Sequence, residues 1–160
     1  MSNTTKQNNN SSIQEYSTQE ILSCFFDQSD IDDGVKVAVY FNLHKDLFSV
    51  MSRQGSTYGK VLFHTDNIIL SDVTFVVRPK GREKVIKDKR KNVHAFCYGY
   101  IDIKDKKEQT KGRLISYNPY KAAHFYYKDD LSKAEGSDKI KMEVTNNKGK
   151  IWECLNEKKT

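Results

Sequence analysis

A chain of 160 residues, 37% hydrophobic, 11% aromatic and 30% charged, suits one domain with a modest core. No apolar run approaches the roughly 18 residues of a membrane span, and the polar N-terminal stretch does not read as a signal peptide. Three scattered cysteines, Cys24, Cys97 and Cys154, argue against a disulfide framework and for a reducing compartment, while the formal charge of +6 points to anionic partners and away from membrane-embedded or secreted classes.

Residues 1–14, with the run Asn8-Asn9-Asn10 followed by Ser11-Ser12, lack apolar content and are expected to form a disordered leader. The pattern changes over 15–33. Ser17 or Thr18 can cap a short helix with Glu20 completing the cap, and Ile21, Leu22, Phe25 and Phe26 fall at helical spacing before the acidic turn that ends at Gly34. So short a helix is marginal alone and must pack on its own domain or on a partner subunit. Residues 1–33 hold one lysine against six acids.

From residue 34 to 156 the period is two, predicting a single β-rich domain. Val35, Val37, Val39 and Phe41 alternate with Lys36, Ala38, Tyr40 and Asn42, the pattern of a half-buried strand. Further strands are predicted at 46–52, 58–64, 67–71 and 73–78. A second short helix is predicted over 81–90, behind Pro79 and Gly81. The strand at 93–103 comes next, followed by strands at 113–118 and 123–128. A terminal hairpin 139–144/150–155 turns at Asn146-Asn147-Lys148-Gly149. The fold class is therefore mainly β: an antiparallel sheet, a sandwich or a partial barrel.

The charge is unevenly spread. Residues 78–91 hold eight basic and two acidic side chains, the place where an anion is attracted first, although a solvated lysine-rich loop has the same composition. Metal binding fails on spacing. His44, His64, His94 and His124 form no local pair, and no Cys-x-x-Cys accompanies them. There is no Gly-x-Ser-x-Gly elbow, phosphate-binding glycine loop or Rossmann glycine set, so no enzyme is expected and no cofactor is implied.

Strand alternation over 93–103 puts Val93, Ala95, Cys97, Gly99, Ile101 and Ile103 on one face, with His94, Phe96, Tyr98 and Tyr100 on the other. The second face is an aromatic row entered directly from Arg90-Lys91-Asn92. Rings stack on bases while Arg and Lys meet phosphates. The competing reading is a second core layer, with His94 in a structural hydrogen bond. Tyr117-Asn118-Pro119-Tyr120-Lys121 is a turn whose rim clusters two tyrosines and a lysine, and it reads equally as a tyrosine-capped turn. The candidate donors are Arg78, Arg82, Arg90, Lys91 and His94. Tyr98 and Tyr117 would stack, Asn92 and Asn118 would offer amide hydrogen bonds, and Lys121 would add a cation.

Several stretches taken together carry a resemblance: Tyr40-Phe-Asn-Leu-His-Lys45, Gly59-Lys-Val61, Val73-Thr-Phe-Val-Val-Arg78, Arg90-Lys-Asn-Val-His-Ala-Phe96 and Tyr117-Asn-Pro-Tyr-Lys121. Over roughly 38–155 the chain resembles a widespread family of small tailed-bacteriophage proteins. The resemblance implies a non-virion protein acting in the host cytoplasm, and it supplies no catalytic residues. In outline the chain is also similar to phage-encoded nucleotide sponges, which bind cyclic nucleotide or ADP-ribose-derived immune signals. That likeness implies sequestration of an anionic nucleotide, with a homo-oligomer as the expected assembly. A nucleic-acid-binding accessory protein and an inhibitor of a host protein stand as alternatives.

Overall fold

The computed structural model describes residues 34–89, 93–102 and 110–155. The predicted leader 1–14 and the predicted helix within 15–33 lie outside them. Nine strands follow in chain order: β1 Lys36–Asn42, β2 Leu47–Ser52, β3 Val61–Thr65, β4 Asn67–Val77, β5 Ala95–Ile101, β6 Lys111–Ser116, β7 Tyr126–Tyr127, β8 Gly136–Thr145 and β9 Lys148–Cys154. One α-helix, α1 Pro79–Asp88, separates β4 from β5. The strands form one sheet in the order β3-β2-β1-β5-β4-β8-β9-β6-β7, antiparallel throughout and unclosed. The expectation of a mainly β fold built on an antiparallel sheet holds.

Alternation decides which side of the sheet is the core. Val37 and Val39 of β1, Phe48 and Val50 of β2, Cys97 and Ile101 of β5, and Ile140 and Met142 of β8 are all buried in one cluster. Pairing puts them in rows, with Phe41 opposite Phe48, Val39 opposite both Val50 and Cys97, and Ile68 of β4 opposite Met142. Each such side chain taken fully from water is worth about 1.5–3 kcal/mol, so this single apolar face supplies the main driving force for folding.

The sheet curls until its two halves meet. A Cβ on Gly149 of β9 would lie 2.5 Å from Cδ1 of Phe41 and 2.9 Å from Cζ of Phe48. Phe41 and Phe48 themselves meet edge to face at 5.3 Å. The β1–β2 hairpin thus touches the β8–β9 hairpin across the concave side, and this contact shapes the mouth described below.

The segments 67–71 and 73–78 prove to be one strand. Asp72 takes a left-handed φ of 52°, and the β4–β5 register shifts between Ser71 and Thr74. This bulge lets Leu70 and Val73 both enter the core, three positions apart, where strict alternation would send one outward. The helix begins earlier than the sequence suggests, because Pro79 serves as a first-turn residue and not as a barrier. It ends at Lys89, which is left-handed at φ 55°.

Candidate functional site

The concave side opens at one end into a half-open groove of about 1030 Å³. Its lining comes from the C-terminal half of β1, the following turn, the start of β5, β6 and the β8–β9 hairpin. The floor is apolar: Val39, Phe41, Phe48, Cys97, Ile115 and Met142. Around the mouth stand Lys89, Lys128, Lys148 and Lys150 with His44, and none of the lining residues is acidic. Among the described residues none of these four lysines joins an ion pair. Leu43, Val93 and Tyr120, also in the lining, are 55%, 47% and 61% exposed, so apolar surface faces water at the lip. An apolar interior of this size with a few polar groups at its edge is the usual form of a small-ligand site.

One wall is aromatic. His94 Nε2 and the Tyr117 hydroxyl are 2.7 Å apart, with their rings edge to face. Tyr117 then packs on Phe125, and Phe125 on Phe75 of the core, at ring separations of 5.3 and 5.0 Å. Burial pushes the Tyr117 phenol above its ordinary value, with the Arg82 charge acting the other way. The hydroxyl therefore stays protonated at neutral pH.

Helix α1 sets this wall in place. Gly81 lies so close to His94 that a Cβ there would come within 2.6 Å of the His94 Cβ, so only glycine lets the helix settle on the histidine. Arg82 Nε donates to the Pro119 carbonyl at 3.0 Å and to the Ala122 carbonyl at 3.1 Å, tying the helix to the turn after β6. Asn118 Oδ1 accepts from the Tyr120 backbone N–H, and the Asn118 carbonyl accepts from the N–H groups of Lys121 and Ala122.

The sequence-derived candidates are thus divided. His94 and Tyr117 line the groove as a bonded pair. Arg82 and Asn118 build the turn behind it, and Lys121 is exposed on that turn. Arg78 and Tyr98 sit on the convex face instead, where Arg78 covers the Phe96 ring at 4.7 Å and Arg53 covers Tyr98 at 4.0 Å. Arg90, Lys91 and Asn92 lie outside the described residues, although their neighbours Lys89 and Val93 both line the groove. Sequence reasoning missed Lys128, Lys148, Lys150 and the Phe41–Phe48 floor. Lys148 and Lys150 flank Gly149 in a hairpin, but only the curl of the sheet brings them to β1.

A second polar cluster crosses the convex face of β1, β2 and β3. Ser49 Oγ and His64 Nδ1 are 2.8 Å apart, and Asn42 Nδ2 donates to Ser49 Oγ at 3.2 Å. Ser49 is fully buried, so the hydroxyl meets no substrate and the cluster ties strands together. Cys97 is likewise buried, and burial pushes its thiol far up. Among the described residues no group of three His, Cys, Asp or Glu side chains is placed to hold a metal, and no helix is long and apolar enough to cross a membrane.

Comparison with known proteins agrees with the phage resemblance. The family model described as Mycobacterium phage L5 gene 82 protein matches residues 30–150. The Gene 82 protein of Mycobacterium phage L5 is 33% identical over 112 residues, covering 66% of this chain and 88% of that protein. No solved structure matches. The chain belongs to the phage L5 gene 82 protein family.

Proposed function

We propose that this phage protein is a non-catalytic binding protein that holds an anionic, nucleotide-type molecule in the lysine-rimmed groove. Sequestering such a molecule, for example a cyclic nucleotide or ADP-ribose-derived immune signal in the host cytoplasm, would be its anti-defence role. The observation that carries the reading is the pairing of an apolar, aromatic-walled interior with four lysines and no acid around one mouth. A nucleotide has the matching two-part chemistry. Its base buries a flat ring, worth about 1–3 kcal/mol when stacked on an aromatic side chain, and its phosphates need cations at the edge, since burying them unpaired is costly. Tyr117 and Tyr120 offer rings, His94 and the Tyr117 hydroxyl offer hydrogen bonds, and the lysines offer charge.

The nucleic-acid alternative has one observation in its favour. Tyr40, Phe96, Tyr98 and Tyr100 make a ring-bearing strip across the convex face of β1 and β5, with Arg53 and Arg78 upon it. Those guanidinium groups already cover Tyr98 and Phe96, so a base would have to displace them, and the groove is the better-prepared site.

A thermal-shift panel tests the reading. It compares cyclic dinucleotides, ADP-ribose isomers, NAD and short single- and double-stranded DNA at near-physiological salt. A ligand that binds only the folded state raises the melting temperature. A shift with a nucleotide and none with DNA supports the groove. A salt-sensitive shift with DNA alone overturns it in favour of the convex strip, and no shift with any of them makes a host protein the partner to seek.

A further inference from the structure

We propose that residues 15–33 seat in the groove of their own chain, with Ile21, Leu22, Phe25 and Phe26 on its apolar floor and their acids at its lysine rim. This inference rests on the groove itself and not on nucleotide binding, and it makes the leader a built-in competitor for whatever ligand the groove takes.

Three observations carry it. The first is charge. Residues 15–33 hold six acids and no base, while the groove presents Lys89, Lys128, Lys148 and Lys150 and no acid. The second is apolar surface without a cover. Leu43, Val93 and Tyr120 are about half exposed or more around one opening, and Ile21, Leu22, Phe25 and Phe26 form an apolar set spaced to share one helical face. Neither surface is favourable in water alone.

The third observation is reach. The described chain starts at Gly34, packed on Tyr100 and Ile101, with the Val35 carbonyl accepting from the Ile101 N–H. That is the end of β1 away from the groove. β1 then runs seven residues to Asn42 at the mouth, about 23 Å at ~3.3 Å per residue. The eight steps from Phe26 to Gly34 span at most about 26–29 Å. The apolar cluster can therefore return along β1 to the groove without help from a second copy.

Two measurements on the full chain test this. A nitroxide attached to Cys24, in a Cys154→Ser background with Cys97 too buried to label, should broaden the amide signals of Leu43, Val93, Tyr120 and Gly149. Those of Ser71 and Lys139, away from the groove, should stay sharp. Uniform broadening, or none, overturns the proposal. A mixture of nitroxide-bearing and isotope-labelled chains should show no broadening, and broadening there assigns the contact to a second copy and overturns the own-chain seat.

The second measurement uses Phe25→Asp/Phe26→Asp and an apolar anionic dye, anilinonaphthalene sulfonate. A leader seated about nine-tenths of the time lowers apparent affinity about tenfold, so the variant should bind the dye about tenfold more tightly, and equal affinity overturns the proposal. Neither readout uses a nucleotide, so a failure of nucleotide binding and a failure of the leader to seat are told apart.

Discussion

Gly149 faces Phe41 across the concave side so closely that a methyl group on its Cα would overlap the ring. These residues are 108 apart in sequence, and their approach is where the first and last hairpins of the curled sheet touch. Gly149→Ala forces the Phe41 and Phe48 rings apart and should cost about 1–3 kcal/mol by overpacking. Chemical denaturation checks this. Phe41→Leu in the same chain should recover part of the loss, because the two changes share one space and are not additive.

Groove residues and convex-face residues should separate in binding assays. Lys148→Glu/Lys150→Glu places acids at the rim and should weaken binding of the ligand found in the nucleotide panel by more than tenfold, about 1.4 kcal/mol or more. Arg78→Ala should leave that affinity unchanged. Its expected cost is to stability, about 0.5–1 kcal/mol for a cation lost from the Phe96 face. Titration calorimetry on both variants checks the contrast, and equal losses would move the site to the convex face.

His64 should make stability depend on pH. Burial, and then the Lys45 charge, holds its imidazole below the ordinary 6.5. The unfolded chain then takes up a proton near that value before the folded chain does. Stability present above about pH 6.5 is accordingly lost as pH falls toward the lower folded value. His64→Gln cannot titrate, so its melting temperature should fall less steeply between about pH 7 and pH 5 than that of the parent.

The β8–β9 turn holds both Asn146 and Asn147 at positive φ, 53° and 64°. This is the two-residue geometry in which Asn-Gly is preferred. Asn147→Gly should raise stability by a few tenths to about 1 kcal/mol, since glycine takes the left-handed region without a Cβ penalty. A higher denaturation midpoint at unchanged slope is the expected result.

Alternation made β1 and β5 readable in the sequence, because each has one buried face and a period of two survives in the residue order. The Asn-Asn turn was readable for the same local reason. Asp72 was not. A charged residue between two apolar runs reads as a break, and only the pairing of β4 with β5 shows it as a bulge inside one strand. The site divided along the same line. His94 and Tyr117 carry a local signal, aromatic rings next to strand ends. Lys128, Lys148 and Lys150 carry none, because their meeting depends on how far the sheet curls, a property of all nine strands together. Tyr98 illustrates the reverse: alternation assigned its face, and a distant Arg53 then covered it.

The position of β5 between β1 and β4 has a consequence for how the chain acquires its structure. β1, β2 and β3 can pair as soon as they exist, yet β1 keeps an unpaired edge until residues 95–101 arrive, and β4 keeps one edge until β5 and the other until 136–145. A chain emerging from a ribosome therefore carries open strand edges through most of its synthesis. Such long-range pairing places folding in the slower, millisecond-to-second range of small domains. Until β8 closes the far side of β4, the half-made sheet is the species most exposed to pairing with a neighbour.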